Sequence, residues 1–250
     1  MGWFTRKKPT KAVAAHAQVS GPDALAAARH AYRDAARERI RSGFVAERDA
    51  LVDDIVGLID DVDVPDGRAR VEAAAAVADE WTARLEEQAT WTEPGDYSRV
   101  QAAFDELAAE GIVGRMNFTC CQTCGTDEID DERTPLGPGE QPVRPNYPFR
   151  EWGYTFFHQQ DAESLGEEPA VLYLSYSCFL PAPSVDAQLV DLMLTGDEGA
   201  RGAVVRESDL AVGRRVVAAL RRQGLTVDWP EDTSTRIRIL DVLWRMPLPD

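Results

Sequence analysis

The chain is poor in the residues from which catalytic and metal sites are most often built. Three histidines and four cysteines stand among 250 residues. No Gly-rich loop of phosphate- or dinucleotide-binding spacing joins a strand pattern to a helix pattern, so a Rossmann-like assignment lacks support. No run approaches the roughly 18 apolar residues that spanning a membrane takes. Basic residues are outnumbered by acidic ones, 27 to 43, for a net charge of -16. That field repels phosphate backbones and anionic membrane surfaces, and argues against nucleic acid as a partner. Its plain reading is an acidic, solvated surface. Four cysteines without a secretory leader pattern lead us to expect a cytoplasmic protein, where clustered thiols bind metal or do redox work more often than they form structural disulfides.

What is present is ordinary for a globular protein, with 44% hydrophobic and 28% charged residues. The length suits one large domain or two modest ones. The first 20 residues, with Trp3 and Phe4 beside Arg6, Lys7, Lys8 and Lys11, read as a disordered basic tail. The same head could touch a membrane surface, an acidic partner or the protein's own acidic surface.

Residues 21–111 read as a helical region. Ser20-Gly21-Pro22-Asp23 is a helix start leading into an Ala-rich stretch to Ile40, and Gly43 marks a break. Val45, Leu51, Val52, Ile55, Leu58 and Ile59 recur at helical spacing between Phe44 and Asp61. The stretch from Arg68 to Gln88 places Val71, Ala75, Ala78, Trp81 and Leu85 on one stripe, with Trp81 a core residue. Tyr97 to Glu110 uses Val100, Phe104 and Leu107 and stops at Gly111.

After Gly111 the period changes. Ile112 to Thr119 alternates as a strand, with Met116, Phe118 and Cys120 on one face and Arg115, Asn117 and Cys121 on the other. Thr126 to Arg150 reads as a long acidic surface loop. Strands are expected at 153–158, 170–177, 225–229 and 235–244, with a short helix over 185–194 and a longer one from Glu207 to Gly224. Residues 112–250 therefore read as an α+β domain with a mostly antiparallel sheet and packed helices, either separate from 44–111 or continuous with it.

Chemistry concentrates in Thr119-Cys120-Cys121-Gln122-Thr123-Cys124-Gly125. Cys121-x-x-Cys124-Gly125 resembles the knuckle of a structural zinc site, whose backbone N–H groups point at the sulfurs. Zinc would need further ligands, and Cys120, His158, Asp161 and Cys178 are available. The expected metal set is Cys120, Cys121, Cys124 and His158, with Asp161 behind the histidine. A redox or nucleophilic reading uses Cys121 or Cys124, with His158 as base. An acidic loop after Cys124, rather than a helix, counts against a thioredoxin-like arrangement. The cysteines could also be inert. Asp53, Asp54, Asp60, Asp61 and Asp63 look like a metal-binding cluster but read better as a solvated face, and Trp229 and Trp244 read as core or rim aromatics.

The stretch from Asn117 to Gly125, taken with Gly153-Tyr154-Thr155-Phe156-Phe157-His158-Gln159-Gln160-Asp161-Ala162-Glu163, resembles an actinobacterial family carrying a domain of unknown function. Val212-Gly213, Val227-Asp228-Trp229, Arg236-Ile237 and Trp244 also fit, so the resemblance covers about Phe44 to Trp244. Pro230-Glu231-Asp232 stands where relatives tend to have a Gly-Thr turn, and Pro181 to Gly202 looks like an added segment. The resemblance implies that the two motifs form one site, and it implies no activity. The resulting expectation is a cytoplasmic binding or regulatory module whose Cys/His site holds zinc. The alternatives are a thiol enzyme or redox protein and an interaction protein with a structural cysteine cluster.

Overall fold

The computed structural model describes residues 22–58 and 66–249. The basic head and Asp60, Asp61 and Asp63 lie outside the described residues; Asp53 and Asp54 are exposed on a helix.

Three helices form one layer: α1 (Pro22–Ser42), α2 (Arg48–Leu58) and α3 (Asp66–Gln88). Ala28, Tyr32, Ala36 and Ile40 bury one face of α1 at four-residue steps, and Gly43, at φ +79°, ends it in the left-handed region. The stripe on α3 is not the expected one. Ala69, Ala73, Ala76, Val77 and Trp81 are buried, whereas Val71 is 65% exposed and Leu85 40% exposed. Ala75 and Ala78 are exposed too. Four consecutive alanines (73–76) give neighbouring stripes nearly equal hydrophobicity, so the face is chosen by packing against Ala-rich α1.

The rest is a five-stranded sheet with helices, the expected α+β architecture. After α4 (Gly95–Ala109) come β1 (Ile112–Arg115), α5 (Gln122–Glu128), β2 (Gly153–Phe156), α6 (Gln159–Ala162), β3 (Ala170–Cys178), α7 (Ala187–Leu194), α8 (Glu198–Arg222), β4 (Thr226–Asp228) and β5 (Ile237–Val242). The strand order is β1-β2-β3-β5-β4; β1 and β2 are parallel and every other pair is antiparallel. The helix expected from Glu207 begins nine residues earlier. Gly199 and Gly202 weaken the local helical pattern, but the Asp197 side chain caps the start by accepting from the Ala200 amide at 2.8 Å.

Helices α4 and α8 cover one face of the sheet, where Phe104, Leu107, Ile112, Leu172, Ile239, Val212 and Leu220 share a core. Gly153 allows this approach, since a Cβ there would sit 2.6 Å from Val212. On the opposite face, at the β1–β2 end, Val113, Tyr154, Phe156 and Ile129 make a small aromatic core with Phe118 and Phe179. Among the described residues no helix is long and apolar enough to cross a membrane.

The chain end stitches the helical layer to the sheet. Trp244 is fully buried against the rings of Phe44, Tyr97 and Phe157, and its indole N–H donates to the Ser42 carbonyl at 2.8 Å. The buried Arg84 guanidinium donates to the carbonyls of Trp244 and Arg41, each at 3.2 Å, and pairs with Glu87. Leu248 then enters the core of the helical layer. Trp244→Ala should therefore cost about 3–5 kcal/mol in urea unfolding, the usual loss for a buried tryptophan. Val71→Ala, removing a residue that the amphipathic stripe would place in the core, should stay within about 0.5 kcal/mol of the parent.

Candidate metal centre

Strand β1 ends at Arg115, sooner than the alternating pattern suggests. Asn117 and Thr119 have φ values of 51° and 55°, and two left-handed residues in three break the alternation. The loop they shape is strapped to the chain after β2 by main-chain bonds. Phe157 N–H donates to the Arg115 carbonyl at 3.2 Å, Phe118 N–H to the Phe157 carbonyl at 2.9 Å, and Gln159 N–H to the Thr119 carbonyl at 3.1 Å. The two sequence motifs thus lie side by side along their backbones.

The cysteines follow directly. Contrary to the expected acidic loop, Cys121 caps a helix, and Cys124 sits in its first turn. The Gly125 amide donates to the Cys121 carbonyl at 3.0 Å, and the Thr119 hydroxyl donates to the same carbonyl at 3.2 Å. The acidic residues Asp127 and Glu128 belong to this helix, and a 3-10 turn over Ile129–Glu132 continues it. Helix propensity reads poorly in so short a Thr- and Gly-containing segment, and the helix is held by its floor instead. Gly125 is buried directly on the Phe156 ring, where a Cβ would come within 2.5 Å of the ring edge.

This geometry gathers three thiols. The sulfurs of Cys120, Cys121 and Cys124 all lie within 4.8 Å of one another, and those of Cys120 and Cys124 are 3.5 Å apart. Cys120 is exposed and the other two are half-buried, so the group faces solvent. The Cys124 amide, then the neighbouring thiols, pull the Cys121 thiol below its ordinary value. The thiols of Cys120 and Cys121 push Cys124 up to about 12. The first proton of the cluster is therefore held less tightly than that of Cys124, and a bound cation would have to displace both.

The other expected site residues lie elsewhere. His158 is buried and caps α6, with Nδ1 accepting from the Asp161 amide at 3.3 Å and Nε2 lying 3.1 Å from Asp161 Oδ2. This pattern assigns the neutral tautomer with the proton on Nε2. Asp161 also accepts from the His158 amide and takes a bidentate pair from Arg236, at 3.0 and 2.5 Å. His158 thus points into an Asp161–Arg236 network that sequence spacing did not anticipate, since Arg236 lies 75 residues from Asp161. Cys178 ends β3 with its amide on Asp209, and burial followed by that carboxylate pushes its thiol up to about 12.

Two outcomes follow. Gly125→Ala must displace Phe156 or tilt α5, and should cost about 1–3 kcal/mol in chemical denaturation. Burial, partly offset by the Asp161 charge, lowers the His158 pKa below 6.5. The unfolded chain then takes up this proton first, so the contribution is full above about pH 6.5 and fades as pH falls toward the lowered folded value. Between pH 7.5 and 5.5 the urea midpoint of His158→Asn, which retains a capping side chain, should fall less than that of the parent. Equal slopes would remove His158 from the pH response.

No curated protein and no solved structure matches the chain. A family model does, over residues 26–248, a span that takes in both motifs, the helical layer and the whole sheet. The chain belongs to the family described as a domain of unknown function (DUF6891).

Proposed function

We propose that the protein is a cytoplasmic binding or regulatory module in which Cys120, Cys121 and Cys124 hold a zinc ion. The observation that carries this reading is the convergence of three ligand sulfurs within 4.8 Å. Two sulfurs bound to one zinc at about 2.3 Å can stand no more than about 4.6 Å apart. The 3.5 Å between Cys120 and Cys124 meets that limit without rearrangement. A thiolate set suits zinc and other soft cations and disfavours magnesium or calcium. Three protein sulfurs leave the fourth zinc position to an outside ligand, as in sites that bind rather than merely brace. His158 would join only by leaving Asp161, at the cost of a buried carboxylate's partner.

A second reading, thiol redox or nucleophilic chemistry, is favoured by the lowered Cys121 thiol and by the helix that starts there. One preparation separates the two. Protein purified in reduced form without a chelating tag should carry about one zinc per chain, and Cys120→Ser, Cys121→Ser or Cys124→Ser should lose it. Less than about a tenth of an equivalent, with all four thiols freely titratable, removes the metal reading. Fast alkylation confined to Cys121 in that metal-free protein would favour the nucleophile, and uniformly slow alkylation would count against it.

A further inference from the structure

Three sulfurs converge at the start of α5. Among the described residues, no fourth His, Cys, Asp or Glu offers a ligand atom within 4.8 Å of all three. His158 Nδ1 accepts from the Asp161 amide and its Nε2 lies 3.1 Å from Asp161 Oδ2, while the Cys178 amide donates to Asp209. A zinc ion enclosed by protein takes four ligands, so this set is one short for it. The angle is also narrow. Sulfurs 3.5 Å apart, each about 2.3 Å from one ion, subtend an angle of about 100°. An angle of that size admits a pyramidal ion whose fourth direction is taken by its own lone pair, and such an ion needs no fourth protein ligand.

Charge points the same way. Bound to an ion as thiolates, the three sulfurs would carry three negative charges, and the helix and turn that follow add Asp127, Glu128, Asp130, Asp131 and Glu132. Arg115 and Arg133 pair with only two of these, Glu132 and Asp130. A monovalent ion would leave the sulfur cluster with two negative charges and a divalent ion with one, each repelled by its surroundings. A trivalent ion leaves none.

We infer that Cys120, Cys121 and Cys124 form a site for a trivalent, three-coordinate thiophilic ion of the arsenite class. The inference rests on reading the cluster as an ion site and names the class of ion it fits. Arsenous acid, As(OH)3, condenses with the three thiols. Three As–S bonds form as three As–O bonds break, each thiol proton leaves with a hydroxide as water, and no oxidation state changes. The exposed Cys120 is open to first attack, and the half-buried Cys121 and Cys124 close the chelate.

The test uses the reduced full-length chain, offered sodium arsenite alone or zinc alone, with native mass spectrometry and thiol counting as readouts. The expected product gains one arsenic atom less three hydrogens and loses three of four titratable thiols. Cys120→Ser, Cys121→Ser and Cys124→Ser should each weaken arsenite binding by more than about 100-fold, beyond the loss of a supporting residue alone. Cys178→Ser should leave it unchanged, and circular dichroism confirms that each variant keeps its fold. Consumption of only two thiols, involvement of Cys178, or binding indifferent to all three substitutions would overturn the inference. Zinc binding without arsenite binding also overturns it while leaving the zinc reading intact. Arsenite without zinc supports it against that reading, and binding of neither removes both.

Discussion

The Asp161 carboxylate is the point on which the candidate site depends. It is buried and accepts from the His158 amide and both terminal nitrogens of Arg236, with His158 Nε2 3.1 Å from its Oδ2. Arg236 in turn donates to the Tyr173 carbonyl on β3 at 2.8 Å. One carboxylate thereby fixes the turn after β2 to the middle of the sheet. A buried charge is tolerable only when its lone pairs are met by good partners, and here three donors meet two oxygens. The turn so fixed presents the Phe157 carbonyl and Gln159 amide that hold the cysteine loop. His158 thus belongs to the turn whose backbone holds the cysteine loop.

This arrangement explains which features could be read from sequence. Strong periodicity survived: Val100, Phe104 and Leu107 are all buried on α4, as are Val216, Val217 and Leu220 on α8. The mostly antiparallel sheet and the clustering of Cys120, Cys121 and Cys124 were legible for the same reason, since they rest on local pattern and spacing. What failed had no local signature. Left-handed backbone at Asn117 and Thr119 is imposed by the strap to residues 157–159, and it curtails β1 where side-chain alternation continues. Helix α5 contains Thr123, Gly125 and Thr126, poor helix formers, and stands because Phe156 accepts a bare glycine against its ring. The association of the two motifs is real for the main chain, and the ligand atoms within 4.8 Å of one another are the three sulfurs without the His158 ring. A strand period tells which way a side chain points only while the strand lasts, and β2 ends at Phe156.

The thiol cluster and the sheet also divide labour by face. Strand β2 turns Gly153 toward α8 and Tyr154 and Phe156 toward the opposite side. The α8 side is the larger core and carries the stability of the sheet. The other side is a small aromatic cluster whose outer wall is α5 and the 3-10 turn. A site built on that wall can change its occupancy without opening the main core. Its backbone is nonetheless held firmly, because non-glycine residues at positive φ persist only where surrounding bonds over-determine them.

That firmness bears on what three crowded thiols can do. In a flexible loop, like charges would spread apart, and a bound ion would have to gather the sulfurs at an entropic cost. Here the Thr119 hydroxyl, the Gly125 amide and the Phe156 ring hold Cys121 and Cys124 on one helical turn, with Cys120 just before it. The thiols also differ from one another: that of Cys121 lies below its ordinary value and that of Cys124 is pushed up to about 12. A cation bound by all three sulfurs would displace the thiol protons that remain. The free energy of placing the sulfurs is met by folding, through Asp161 and the strap, so an ion there would be selected by coordination number and charge. On both counts the site is defined by three sulfurs of its own and an acidic surround.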